Sequence, residues 1–243
     1  MKIFLKNFLF GRSQYKFFIK NYTKIKDLKI ISFASQSMRH SQVINPLIIK
    51  CPTKGNILIL SPHPDDEIIG AGGTLIAAVK KNKSKVHCIF FSSYNRDKKL
   101  IENEIKKVSK FVNFTYTCLK YFPDNFKIED STLKKIAEKI NNLKPKKVFL
   151  PFLFDDHDDH RRVNEIILKI IEKNYINKLN FEIWAYQGYS TFPCNVIVDI
   201  SKNFNKKILA LKKYKSQIEK INLPHIALGL AAFNSRFINS KDR

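Results

Sequence analysis

The 243-residue chain is 44% hydrophobic and 12% aromatic, enough for a sizeable core and outside the range of disordered chains. Its apolar runs, such as 56–60 and 148–154, fall far short of the ~20 residues that a membrane-spanning helix needs. The formal net charge of +23 comes mostly from lysines spread over the whole length, with no helix-turn-helix, RNP or zinc-finger pattern beside them, which argues against a dedicated, specific nucleic-acid partner.

Residues 1–54 hold eleven Lys or Arg against one acid, Asp27, and read as a basic N-terminal arm. Within it Arg12, Lys16, Lys20 and Lys24 recur every fourth residue, while Tyr15, Phe18, Ile19 and Tyr22 follow the i, i+3, i+4, i+7 spacing of one helical face. The spacing predicts a basic amphipathic helix. Two roles are open to it: lying in the headgroup region of an anionic membrane, or packing its aromatic face on the protein's own core. Lys6 breaks the first apolar run and no small-residue cleavage site follows, so the segment does not read as a signal peptide. The four cysteines, Cys51, Cys88, Cys118 and Cys194, are widely separated and form no C-x-x-C pair. A reducing, cytoplasmic setting is therefore expected, and on the first of the two roles the arm is the point of contact with the inner face of the membrane.

From Gly55 to Arg243 one core domain is expected, because β-rich runs alternate with helical spacing. Strands are predicted at 56–60, 86–92, 114–119, 147–151, 181–186 and 196–200; helices are predicted at 72–81, 98–112, 131–143, 161–175 and 203–220. Parallel neighbours need crossover connections, so this alternation implies an α/β fold with a mostly parallel sheet and helices on both faces.

Two loops carry the chemistry. Ser61-Pro62-His63-Pro64-Asp65-Asp66-Glu67 follows the first core strand, and Asp155-Asp156-His157-Asp158-Asp159-His160 follows the fourth. Together they hold seven of the chain's 21 acids and three of its six histidines, although the chain is strongly basic. An acidic helix cap explains one such acid well and three poorly, since ionised carboxylates side by side need a compensating cation. In an open α/β sheet, functional groups collect beyond the carboxyl ends of the strands, and the first and fourth strands neighbour each other at the switch point of a doubly wound order. Two imidazoles and a carboxylate can then converge on one ion. Such ligands with an open fourth position describe a catalytic zinc site, and the lack of clustered thiolates speaks against a structural one. His40, His87 and His225 have no second ligand nearby in sequence and read as ordinary surface or core histidines.

These motifs are similar to those of the LmbE-like, or PIG-L, deacetylases, whose marks are an A/P-H-P-D-D-E loop and a later H-x-D-H loop, here Pro62 to Glu67 and His157 to His160. The likeness spans about residues 55–220 and includes Val198-Asp199-Ile200 and Tyr214-Lys215-Ser216-Gln217. It implies a Rossmann-like three-layer α/β sandwich and hydrolysis of the N-acetyl group of an acetamido sugar, a small-molecule or lipid-linked N-acetylglucosamine conjugate, in surface polysaccharide or glycolipid synthesis. By position it implies that His63, Asp66 and His160 bind zinc. It makes Asp65 the general base, makes His157 the electrophile beside the scissile carbonyl, held cationic by a neighbouring acid, and makes Asp159 the residue that orients His157.

Three departures accompany the likeness. Glu104 stands where the family carries an R-x-x-E pair, but Ile101 replaces the arginine, so that a substrate contact is either missing or supplied by Arg96. Asp158 stands where H-P-D-H has proline, and residues 227–237 lack the acid that relatives often carry there. Trp184, Tyr186, Tyr189 and Asn195 lie where a sugar platform could form, and aromatics near a late strand suit the core equally well. Two other readings stay open beside deacetylation: a metal-dependent phosphoesterase, and a catalytically inactive protein that binds membrane or nucleic acid through its basic surface. The oligomeric state is not legible.

Overall fold

The computed structural model describes residues 46–92, 98–121, 128–176, 180–191 and 194–238. Apart from Cys194 and Asn195, these belong to one compact unit that begins at Pro46. The amphipathic helix expected at 12–24 and the substitute contact Arg96 lie outside the described residues.

In chain order the elements are β1 (Leu47–Ile49), β2 (Ile57–Ser61), α1 (Asp66–Asn82), β3 (Val86–Ser92), α2 (Lys98–Val112), β4 (Thr115–Tyr121), α3 (Asp130–Leu143), β5 (Lys147–Pro151) and α4 (Asp158–Glu172). There follow β6 (Glu182–Tyr186), β7 (Val196–Val198), a 3-10 turn at Ser201–Asn203, α5 (Phe204–Leu211), α6 (Lys215–Ile218), α7 (Leu223–Asn234) and a last 3-10 turn at Ser235–Phe237. Five strands form one sheet in the order β4-β3-β2-β5-β6, every pair parallel. β1 pairs in parallel with β7 in a separate two-stranded ribbon. Residues 46–54, within the stretch read as arm, thus lead into the folded unit.

Every residue of β2 is buried, because the sheet is covered on both faces. Successive side chains alternate between two cores. Ile57 and Ile59 join Ile68, Leu75, Ile105 and Val108 from α1 and α2 on one face, where Leu211 and Tyr214 complete the packing. Leu58 and Leu60 join Leu133, Ile136, Val163 and Ile167 from α3 and α4 on the other. The result is the expected three-layer α/β sandwich.

The predicted strands recur within two residues at each end, while two helical segments differ from expectation. α1 starts at Asp66 rather than Gly72, since Asp66 and Glu67 occupy its first turn, where acids complement the helix dipole. Gly70 and Gly73, inside the helix, permit close packing: a Cβ at Gly70 would sit 2.1 Å from the Tyr186 ring, and one at Gly73 2.6 Å from Ile200. The helix expected over 203–220 is broken into the 3-10 turn, α5 and α6. Tyr214 leaves helical geometry between α5 and α6, with φ −82° and ψ 62°, and its hydroxyl reaches back to Glu67.

Candidate metal centre

The two acidic loops leave the carboxyl ends of β2 and β5, which are neighbours at the centre of the sheet. The first loop is tied to β3, because Ser92 donates both its amide (3.0 Å) and its hydroxyl (3.2 Å) to the Pro62 carbonyl. Ser61 donates its hydroxyl to the His63 carbonyl at 2.7 Å. Asp65 is then forced to φ 125°, a region that L-residues rarely adopt, while its carbonyl accepts the first amides of α1, from Ile68 and Ile69. Backbone strain of this kind costs about 1–3 kcal/mol and persists only where the surroundings impose it.

What imposes it here is a chain of buried hydrogen bonds that sequence reading missed. The Asp65 amide donates to Glu67 Oε2 at 3.0 Å, and Glu67 Oε1 accepts the Tyr214 hydroxyl at 2.6 Å. Burial pushes the Glu67 carboxyl up to about 7 despite these donors. The turn that carries Tyr214 is itself held by Glu104, whose two carboxylate oxygens accept the Ser216 amide (2.9 Å) and hydroxyl (2.7 Å). Glu104 therefore anchors the chain's own tail, and Ile101, in place of the family arginine, is buried in the core.

His63, Asp66 and His160 come together, all buried, with one candidate ligand atom from each lying within 4.8 Å of the others. Asp66 Oδ2 is 3.2 Å from His63 Nδ1 and 3.2 Å from His160 Nε2. A second grouping, His63, His157 and Asp159, meets the same distance limit and shares His63 with the first. Behind His160 stands Asp155, fully buried, with Oδ1 3.0 Å from His160 Nδ1. Its Oδ1 also accepts the His157 amide and its Oδ2 the Tyr189 amide, so this carboxylate joins the loops after β5 and β6. A carboxylate behind a histidine is the usual support of a metal-ligating imidazole. Asp155 was noticed in sequence only as one acid of a cluster; the role depends on which way it faces.

The residues fit a divalent cation. Two buried carboxylate oxygens here, Asp65 Oδ1 and Asp66 Oδ1, have no hydrogen-bond partner among the described residues. Each such atom costs about 1–3 kcal/mol when left unmatched, and a cation matches them together. The protonation balance agrees. Burial opposes ionisation of Asp66, but His160 and His63 outweigh it and hold the carboxyl below its ordinary range. Burial also opposes charge on the imidazoles, yet Asp159 and Asp66 push His63 up to about 9, while Asp66 and Asp155 push His160 up to about 10. This is a pocket whose carboxylates demand positive charge.

Asp65 and His157 complete the cluster. Burial and then the neighbouring Asp66 carboxylate hold the Asp65 carboxyl well above its usual range. His157 is the N-cap of α4: its Nδ1 accepts the Asp159 amide at 3.2 Å. Nδ1 thus carries no proton, and the neutral ring bears it on Nε2. Burial, then His63 and His160, lower the affinity of His157 for a second proton. Against the expected cationic His157, burial and the two other imidazoles disfavour a second proton in the metal-free site, while Asp159 and Asp66 favour it. Asp159 orients it through its amide, while its carboxylate lies 3.1 Å from His63 Nε2 and 3.3 Å from Arg162.

Of the expected platform aromatics, Tyr189 stacks on His160 with centroids 5.6 Å apart and is 40% exposed. A Cβ at the preceding Gly188 would meet Asp155 and His160 at 2.9–3.2 Å, so the loop can close on the site only with glycine there. Tyr186 is a core residue that donates to the Leu60 carbonyl, and Trp184 packs on Phe149 while donating to Glu182. His87 lies between Thr115 and Thr117, and His225 is exposed.

The parallel α/β sandwich thus carries a buried His/Asp cluster, able to hold a metal ion, beyond the ends of its central strands. Residues 58–171 match the family model PIG-L, described as GlcNAc-PI de-N-acetylase. The fold is similar to that of a conserved protein from Thermus thermophilus (21% identity, TM-score 0.67), over 76% of this chain and 90% of that one. It is also similar to N,N'-diacetylchitobiose deacetylase from Pyrococcus horikoshii (21%, TM-score 0.59, 70% and 75% covered). A third similar fold is the 4-carboxy-2-hydroxymuconate hydratase GalB from Pseudomonas putida (14%, TM-score 0.63, 77% and 91%). One fold thus carries different reactions, and the site must decide between them.

Proposed function

We propose that the protein is a zinc-dependent deacetylase acting on an acetamido sugar of the N-acetylglucosamine type, in surface polysaccharide or glycolipid synthesis. The observation that carries this reading is the buried His63, Asp66 and His160 cluster with the Asp65 carboxyl directly beside it. Held by those three side chains, a zinc ion supplies Lewis acidity for the amide carbonyl and lowers the pKa of water toward ~7.

The chain's own groups supply the remainder. Asp65, adjacent in sequence to a ligand and with Oδ1 free of other partners, accepts the proton of the attacking water. Its raised proton affinity suits it to hold that proton and return it to the departing amine. His157 donates Nε2–H to the oxygen that becomes negative in the tetrahedral transition state, a contribution worth ~3 kcal/mol where one such donor has been removed elsewhere. Asp159 fixes the tautomer that makes this donation possible. The exposed ring of Tyr189 offers an apolar face at the site for a sugar.

A two-metal phosphoesterase is less well supported, because the two ligand groupings among the described residues share His63 and cannot both be complete. An inactive binding protein is disfavoured by the retained Asp65. The reading includes a cytoplasmic setting with the basic residues 1–54 at the inner face of the membrane. Metal analysis and acetate release from a panel of N-acetylglucosamine conjugates test the function. A purified protein without bound transition metal, or an Asp65→Asn variant with undiminished acetate release, would sink it.

A further inference from the structure

A cavity of about 470 Å³ opens between α2 and the chain that runs from α5 into α6, and none of the residues that line it belongs to the two acidic loops. Its volume lies within the ~300–1,000 Å³ of small-ligand pockets. Leu100, Glu104 and Lys107 form one wall, because i, i+4 and i+7 share a face of α2. Leu209, Lys212 and Lys213 come from the end of α5, while Lys215, Ser216 and Glu219 come from α6 and the residue after it. Leu100 is 46% exposed and Leu209 52%, so apolar side chains from both α2 and α5 stand in water. Beside them are four ammonium groups against two carboxylates. Glu104 turns its two oxygens to the Ser216 amide and hydroxyl. Lys107, Lys212 and Lys215 have no carboxylate partner among the described residues, although Glu219 stands four residues after Lys215. Lys213 lies 4.4 Å from the centroid of the Phe111 ring. Like charges gathered round one cavity repel one another, and an anion between them relieves that repulsion.

We propose that this cavity binds a small organic phosphate that carries an apolar group. A dianion matches the excess of four ammonium groups over two carboxylates in the lining, and hydrocarbon attached to it covers Leu100 and Leu209, which a bare inorganic anion leaves in water. Residues 1–45 hold nine Lys or Arg against Asp27, so as occupant they would bring like charge to the lysines. A second copy of the chain would do the same with its net charge of +23. A protein interface takes about 20–30 residues a side, against the nine that line this cavity.

The cavity adjoins the support of the metal centre. Ser216 lines it and is held by Glu104; two residues earlier Tyr214 donates to Glu67, which accepts the Asp65 amide. Binding there does not depend on which reaction the metal site performs.

Hexyl phosphate, inorganic phosphate and hexanol are each titrated into the full chain by calorimetry, and the place of binding is read by amide hydrogen exchange. Hexyl phosphate should bind at least about tenfold more tightly than either of the others and slow exchange over residues 212–219. Its affinity should fall about tenfold or more in the Lys212→Glu/Lys215→Glu double variant and stay within about twofold in Lys80→Glu/Lys81→Glu, a change of equal charge at the end of α1. All four lysines are exposed, so both double variants keep the core intact. Hexyl phosphate that binds no better than inorganic phosphate, or no better than hexanol, would overturn the proposal. So would equal losses in the two double variants, which would mark diffuse attraction to the charge of the whole chain, or binding that leaves exchange over 212–219 unchanged, which would put the anion elsewhere.

Discussion

Replacing Asp65 by glycine should stabilise the metal-free protein while abolishing its chemistry. Asp65 sits at φ 125°, where glycine is at ease, so the substitution relieves about 1–3 kcal/mol of strain. Against this stands the greater unfolded-state entropy of glycine, up to about 1 kcal/mol. The carboxyl is buried, with Oδ1 unpaired and its proton affinity raised by burial and by Asp66, and removing it recovers roughly 1–3 kcal/mol. Lost attraction to His63 and His160 takes some of that back. A net gain of about 2 kcal/mol corresponds to a rise of about 4–8 °C in Tm for a domain of this size. Thermal melts in EDTA, followed by circular dichroism, measure it without interference from metal binding. Asp65→Asn, which keeps the strained backbone, should gain less than Asp65→Gly, and both should lose acetate release. A lower Tm for Asp65→Gly would show that the loop is not strained as described.

Other expectations follow from buried groups. The Lys207 ammonium is buried, donates to the Ile69 carbonyl at 2.7 Å, and is pushed down to about 8 by burial alone. Its folded value lies below the unfolded value near 10.5, so the penalty is fully present below pH 8 and is relieved as pH rises from 8 to 10.5. Lys207→Met should therefore be more stable at neutral pH, by up to on the order of 3 kcal/mol, with the advantage fading over that window in denaturant titrations; an advantage that does not change with pH would refute the assignment. Tyr214→Phe removes the 2.6 Å bond to Glu67 and should lower stability by about 1–3 kcal/mol and reduce kcat more than it changes KM, because Glu67 also holds the Asp65 amide. Zinc should raise the Tm of the parent protein by mass action and leave that of His160→Ala unmoved; equal shifts would place the ion elsewhere.

The central strands were readable because β2, β3 and β5 are short apolar runs bounded by turn residues, and the two acidic loops were readable because charge of the minority sign is concentrated at their ends. The adjacency of β2 and β5 then brought His63, Asp66 and His160 together as the alternation implied. What escaped depends on long-range contact. Glu67 and Tyr214 are 147 residues apart, and nothing local marks the bond between them. Leu47–Ile49 pairs with a strand almost 150 residues later, so its sequence neighbours gave it the look of arm. α7 has no polar face to set a helical period, and passed unread. The surroundings of His157 also escaped, because the neighbouring acid is visible in sequence whereas His63, which disfavours its second proton, comes from a distant loop.

Zinc-dependent deacetylation is tested most directly by acetate release from N-acetylglucosamine conjugates by the purified protein, measured before chelation, after chelation and after zinc is restored, with Asp65→Asn alongside. Release that disappears on chelation, returns with zinc and is absent in the variant is the predicted result. A fully zinc-loaded protein that frees no acetate from any conjugate, or release that survives chelation, would contradict it.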